Sequence, residues 1–188
     1  MKKRAAIAVL MMLAAPARAD DAVDMAAAAN RFYATYAAQP QHGGLPEGAA
    51  RGRYLPLLSP RLLKLINEAS AAQVRFRAKV KNAPPLIAGD IFSSQFEGFQ
   101  TYKVGACSGS ATAGRCSVQL HYGEPGLPSG SGAGGQKNNQ PVDWTDEILL
   151  VKAGGAWKVD DIAYKGAFAF GNSGLLSQTL NMVISTAP

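Results

Sequence analysis

The sequence predicts an α+β fold in which helices come first, about four antiparallel strands follow and a helix closes the chain. Two changes in the spacing of apolar residues support this prediction. Up to residue 81 the apolar residues recur at helical spacing, whereas between residues 101 and 164 they alternate with polar residues, as in half-buried strands. Helical spacing returns between Leu176 and Ile184, where an apolar stripe can cover the sheet.

Residues 1–19 have the form of a secretory signal peptide. Three basic residues precede an apolar run over residues 5–15, which is too short to span a bilayer. Small residues at Ala17 and Ala19 indicate a cleavage site between Ala19 and Asp20. We therefore expect a periplasmic or secreted protein whose mature form starts at Asp20 and has no membrane anchor.

Cleavage would change the charge of the chain. The 19 lysines and arginines fall to 15 because Lys2, Lys3, Arg4 and Arg18 are lost, while all 13 acidic residues remain, so the net charge falls from +6 to about +2. This charge gives no reason to expect a nucleic-acid partner. The length of residues 20–188 is typical of a single α+β domain, with its core expected over about residues 24–184.

The first helix is predicted over Asp24 to Ala38, with acidic residues near its start that suit the helix dipole. Glycines and prolines over residues 40–52 predict a loop. The second helix is predicted to begin at Ser59 and Pro60, an N-cap followed by a proline in the first turn. Its buried stripe is expected to consist of Leu62, Leu65, Ile66, Ala69, Gln73, Phe76 and Val80.

The end of the second helix has two interpretations. Residues 74–81 alternate between apolar and basic side chains, which would also suit a half-buried strand. We favour a helix because the stripe continues without a turn residue until the sequence Asn82-Ala83-Pro84-Pro85, which must end it. The basic side chains are interpreted as a solvated face, with an anion-binding patch as the alternative. They are Arg75, Arg77, Lys79 and Lys81.

Two strands are predicted around Val104 and Val118, and the only cysteines, Cys107 and Cys116, lie on them. In an exported protein, two cysteines nine positions apart predict a disulfide. A simple hairpin that pairs the cysteines would place Val104 on the polar face of the other strand. One extra residue at Gly105, forming a β-bulge, would reconcile the disulfide with the apolar pattern.

Few residues of the chain suit metal binding or nucleophilic catalysis. The only histidines are His42, in the glycine- and proline-rich stretch, and His121, which is predicted to face solvent and has no identifiable partner. No Gly-x-Ser-x-Gly elbow occurs, and residues 124–141 lack the ending of a phosphate loop and predict a mobile surface loop. We expect no metal and no cofactor.

Several aromatic residues could line a ligand pocket, but we interpret them as core. They are Tyr33, Tyr36, Tyr54, Tyr102 and Trp144.

A second hairpin is predicted from strands over 144–152 and 157–164, joined by a three-residue loop at residues 153–155. That loop would place Leu149 opposite Val159 on the core face, and Glu147 opposite Asp161 on the same face. Opposed like charges destabilise a sheet, but in a pocket of low dielectric they would form a candidate acid/base couple or cation site. Alternatively, both carboxylates reach water at the end of the strand.

The last strand reads Trp157-Lys158-Val159-Asp160-Asp161-Ile162, and an earlier segment reads Asp90-Ile91-Phe92. With the order of helices and strands, these motifs resemble a family of secreted bacterial domains of unknown function within the nuclear-transport-factor-2-like superfamily, over roughly residues 24–184. The resemblance implies a curved antiparallel sheet that encloses a conical pocket under the helices. The superfamily contains both enzymes and non-catalytic binders, so the fold does not select the function.

The favoured hypothesis is an exported, non-catalytic domain that binds a small molecule or an envelope protein. It follows from a pocket-forming fold without an assembled catalytic constellation. The alternative hypothesis is a small periplasmic hydrolase or isomerase that uses Glu147 and Asp161 within the conical pocket.

Overall fold

The computed structural model describes residues 19–39, 43–123 and 141–186. Over these residues the fold is α+β, with five strands in one antiparallel sheet of order β1-β2-β3-β4-β5, one strand more than expected. The elements are α1 (Ala19–Ala37), α2 (Gly48–Tyr54), α3 (Pro60–Lys79), β1 (Thr101–Gly109), β2 (Ala113–Tyr122), β3 (Val142–Ala153), β4 (Ala156–Tyr164), β5 (Gly174–Leu175) and α4 (Leu176–Thr186).

Three predictions concern residues outside this description. They are the signal peptide up to residue 18, the histidine at position 42, and the loop at 124–141 apart from its last residue. None of the described helices is both long enough and apolar enough to cross a membrane.

Helix α1 crosses the core face of the sheet and contacts β1, β2 and β4. Its described part already includes Ala19, five residues before the predicted start at Asp24, and Asp21 forms an ion pair with Nζ of Lys152 on β3, at 2.9 Å. Further along, Met25, Phe32 and Tyr33 are completely buried.

Helix α3 starts as predicted. The Ser59 hydroxyl accepts a hydrogen bond from the backbone N–H of Leu62 at 3.0 Å, and Pro60 occupies the first turn. The helix continues to Lys79, so the strand alternative for residues 74–81 is wrong. The short helix α2 lies partly within the predicted loop and was not foreseen, and Arg51 of α2 hydrogen-bonds to Asn67 of α3.

The β1–β2 hairpin confirms the disulfide and the bulge. Val104 lies opposite Val118 and Cys107 lies opposite Cys116, so β1 contains one residue more than β2 between these pairs. A Cβ added at Gly105 would lie 2.5 Å from Oγ of Ser117. The glycine therefore provides the close approach that the bulge requires.

The β3–β4 hairpin corrects the predicted register. Gly154 and Gly155 both have positive φ, 59° and 79°, as in a two-residue turn of type I′, so Ala153 pairs with Ala156 and the loop has two residues rather than three. Because side chains alternate along a strand, this one-residue change exchanges the two faces of β3. The buried face carries Ile148 and Leu150, whereas Leu149, predicted as core, is half-buried on the other face together with Val151.

A second bulge, at Asp160, restores the core face of β4. Leu150 lies opposite Val159 and Leu149 lies opposite Asp161, so Asp160 has no partner in the ladder. Beyond the bulge Ile162 is opposite Ile148, and both are completely buried.

An aromatic cluster fills the space between α1, α2 and the segment that precedes β1. The rings of Tyr36 and Phe99 stack with centroids 4.2 Å apart, and Phe92 contacts Phe32, Tyr36 and Tyr54. The prediction that the tyrosines and Trp144 are core is confirmed, except that Tyr102 is only partly buried.

The segment from Asp90 to Gln95 is buried although it is neither helix nor strand. Its polar groups depend on the carboxylate of Asp146, which is completely buried on β3. That carboxylate accepts hydrogen bonds from the backbone N–H and the hydroxyl of Ser94, from the indole N–H of Trp144 at 3.0 Å and from the backbone N–H of Lys165 at 2.8 Å. The opposite side of the segment is held by Asn172, whose side-chain amide donates to two of its carbonyl oxygens.

We expect Asp146→Asn to lower the free energy of unfolding by about 3 kcal/mol or more. The amide keeps the shape of the carboxylate but directs an NH2 group towards N–H donors that are already buried. Urea unfolding of the purified variant measures the change. Asp143→Asn, on the same strand but with a side chain 83% exposed, is the matched control and should change stability by about 1 kcal/mol or less. Equal effects of the two substitutions would contradict this role for Asp146.

The disulfide closes a loop with a sequence separation of nine residues. We expect its removal in a Cys107→Ala/Cys116→Ala variant to lower the free energy of unfolding by about 2 to 3 kcal/mol, because a loop of this length restricts the unfolded chain. Reductant should destabilise the wild type by a similar amount and leave the variant unchanged. A wild type that is insensitive to reductant would disprove this prediction.

Candidate functional site

The two carboxylates predicted to face each other on the second hairpin do not do so. Glu147 lies opposite Ala163, and Asp161 lies opposite Leu149. The two-residue turn and the bulge at Asp160 together displace the predicted pairing. Glu147 is partly exposed, with Nζ of Lys165 3.5 Å from its Oε2. The predicted cross-strand pair of Glu147 and Asp161 is therefore wrong.

The Asp161 carboxylate joins three elements of the fold. Its Oδ1 accepts hydrogen bonds from the backbone N–H groups of Ile162 and Ser177, both at 2.9 Å, and Ser177 is in the first turn of α4. Its Oδ2 lies 3.2 Å from the guanidinium of Arg61 in the first turn of α3. Arg61 also pairs with Asp160 at 2.8 Å. Asp161 thus satisfies a free N–H at the start of α4, as an N-cap would.

His121 has a partner that the sequence did not reveal. Its Nδ1 lies 2.8 Å from a carboxylate oxygen of Asp143, the residue directly opposite on β3, and its Nε2 lies 2.7 Å from the carbonyl oxygen of Gly123. The hydrogen bond to Asp143 is the main cause that raises the pKa of His121. The Asp143 side chain is 83% exposed, so this pair lies at the surface.

A cleft of about 430 Å³ opens on the side of the helices, and we call it the α1–α3 cleft. Its walls are Gln39 after α1, the loop 43–47, Ala50 of α2, one face of α3, and the segment 85–88. The volume lies in the range of small-molecule sites. The inner wall includes the buried side chains of Leu45 and Ile87.

Gln73 is the unusual member of the cleft wall. Its side chain is only 4% exposed, yet its Oε1 is buried without a hydrogen-bond partner. A buried polar group without a partner costs about 1–3 kcal/mol. Such a group in a cleft is satisfied when a ligand or a bound water supplies the missing partner.

Two charged residues also line the α1–α3 cleft. Arg77 follows Gln73 by one helical turn on the same face of α3, and Glu47 lies on the wall formed by the 43–47 loop. Both side chains belong to exposed residues. Neither forms an ion pair within ranges 19–39, 43–123 and 141–186.

A smaller cavity of about 50 Å³ adjoins the cleft and shares Gln39, the glycines 43 and 44, and Ala50 with it. This volume exceeds the roughly 10–15 Å³ that one water molecule needs. The cavity is lined by the carboxyl of Asp90 and by Tyr36 and Tyr54.

Burial raises the pKa of Asp90 to about 7, although the carboxylate accepts a hydrogen bond from the backbone N–H of Phe92 at 3.2 Å, which acts in the opposite direction. Burial and the nearby Asp90 also raise the pKa values of Tyr36 and Tyr54, which therefore remain protonated donors at neutral pH. The inner cavity thus holds a carboxyl group that exchanges its proton near neutral pH.

Sequence reasoning missed the residues of this cleft, although one signal was present. Gln73 interrupts an otherwise apolar stripe on α3, and a polar residue at a core position is expected to have a partner. The charge pattern predicts a solvated face for Arg77, and the motif Asp90-Ile91-Phe92 does not indicate a cavity.

Comparison of the chain with protein-family models, with curated proteins and with solved structures found no match. Within the described ranges, no three histidine, cysteine, aspartate or glutamate side chains are grouped so that they could hold a metal ion.

The raised pKa of Asp90 has a predictable effect on stability. Between about pH 4 and about pH 7 the folded protein keeps a proton that the unfolded chain has lost, so the stability contributed by Asp90 is present at low pH and is lost as pH rises through this window. The difference in unfolding free energy between wild type and Asp90→Asn should fall over this window by at most about 1.4 kcal/mol per pH unit and then become constant. Urea unfolding at several pH values measures it, and a difference that rises with pH would contradict the prediction.

Proposed function

We propose that this chain is an exported, non-catalytic domain of the nuclear-transport-factor-2-like superfamily that binds a small molecule in the α1–α3 cleft. The observation that carries the proposal is the Oε1 atom of Gln73, which is buried in the cleft wall without a hydrogen-bond partner. In folded proteins nearly all buried polar groups are hydrogen-bonded. A ligand that pairs with this amide explains why a glutamine occupies a core position of α3.

Two further observations support the proposal. The disulfide between Cys107 and Cys116 fits an oxidising compartment such as the periplasm. The motif residues Trp157, Val159 and Ile162 are buried under the helices, as the resemblance implies. A binding role rather than catalysis is favoured because Glu147 and Asp161 have separate partners, and no acid/base couple is formed between them.

The cleft can be tested by blocking it. Ala50 lines both the cleft and the inner cavity, whereas its neighbour Ala49 lines neither and is exposed. We expect the wild-type protein, incubated with a small-molecule extract of the periplasm, to show a bound mass by native mass spectrometry. Ala50→Phe should lose that mass, and Ala49→Phe should retain it. A wild type without bound mass, or an Ala50→Phe protein that binds equally well, would overturn the proposal.

A further inference from the structure

The polar and charged side chains of the α1–α3 cleft lie on two of its walls. Gln73 and Arg77 are four residues apart on one face of α3, so their backbones are separated by about 6 Å along the helix axis. Glu47 lies on another wall of the same cleft. The cleft therefore presents a neutral amide beside a cation, with an anion on a separate wall.

Each group specifies a complementary feature of the ligand. The Gln73 amide offers one acceptor and two donors, which match the N–H and C=O of a second amide. The Arg77 guanidinium is planar and binds carboxylates with two parallel hydrogen bonds. Glu47 can pair with an ammonium group. Since neither charge has an ion-pair partner among the described residues, both are available to a ligand.

The spacing also fits a peptide backbone. An extended chain advances about 3.5 Å per residue, so an amide group two residues before a terminal carboxylate lies about 7 Å from it. This distance of about 7 Å is close to the separation of about 6 Å between Gln73 and Arg77 along the helix axis. The flexible side chains can cover the difference. The rest of the wall includes apolar residues such as Pro46, Ala50 and Ile87, which can contact apolar side chains of a ligand.

From this arrangement we infer that the ligand is a short peptide with free termini and apolar side chains. Its carboxylate pairs with Arg77, its amide pairs with Gln73, and its ammonium group is directed towards Glu47. The inference rests on the proposed function, because it assigns a chemical class to the ligand of the same cleft.

The test uses tri-alanine as the probe and isothermal titration calorimetry with the full mature protein. We expect Arg77→Gln to weaken binding by about tenfold or more. Arg75→Gln is the matched control, since Arg75 is exposed on the same helix and does not line the cleft, and it should leave the affinity unchanged. Arg77 is also exposed, so its substitution does not threaten folding.

Modified probes identify the contacts. C-terminally amidated tri-alanine should bind the wild type as weakly as tri-alanine binds Arg77→Gln, and the two changes together should weaken binding no further. N-acetylated tri-alanine should bind the wild type as weakly as tri-alanine binds Glu47→Gln, and the two changes together should weaken binding no further. Gln73→Met, which keeps the length of the side chain, should weaken binding of every probe.

Two results would overturn the inference, namely no binding of tri-alanine, or equal effects of Arg77→Gln and Arg75→Gln. If the Ala50-dependent bound mass from the periplasmic extract persists in that case, the proposed function stands and only the peptide class fails. If that mass is absent as well, both proposals fail together.

Discussion

The completely buried carboxylate of Asp146 connects three parts of the chain that are remote in sequence. It accepts hydrogen bonds from Ser94 before the sheet, from Trp144 within β3, and from backbone N–H groups at Lys165 and Gly166 after β4. A buried irregular segment needs such a partner because it has no ladder to satisfy its backbone. The conformation of residues 90–95 depends on this side chain on one side and on the Asn172 amide on the other.

The buried polar groups of the molecule fall into two kinds. Asp146 and Asp161 have several donors each, and they join elements of the fold. Gln73 has none among the described residues, and it lies in a cleft with unpaired charges at its mouth. The first kind explains stability, because the donors and the acceptor are buried together. The second kind is unfavourable unless another molecule completes it. The Tyr33 hydroxyl and the indole N–H of Trp157 also belong to it, but of these three residues only Gln73 lines the cleft.

The sequence was informative where apolar spacing and a covalent constraint acted together. In the first hairpin the two cysteines restricted the register, so the bulge at Gly105 could be inferred. In the second hairpin only the expected loop length indicates the register, and the two glycines form a shorter turn than expected. The interval between successive apolar residues of β4 changes from two residues, Trp157 to Val159, to three residues, Val159 to Ile162. This change in the sequence indicates a second bulge. The cleft could not be predicted in this way, because its walls come from four separate parts of the chain, and only Gln73 departs from the local pattern.

The bulge in β1 has a consequence for the behaviour of the protein in a crowded compartment. β1 is a terminal strand of the sheet, and a regular terminal strand offers N–H and C=O groups on which another chain can add a strand. The extra residue at Gly105 interrupts that row and bends it, and the disulfide holds the interruption in place. At the other end of the sheet, β5 is only two residues long. Both borders of the sheet are thus poor templates for the addition of another strand, and in β1 the feature responsible is the one that aligns the cysteines.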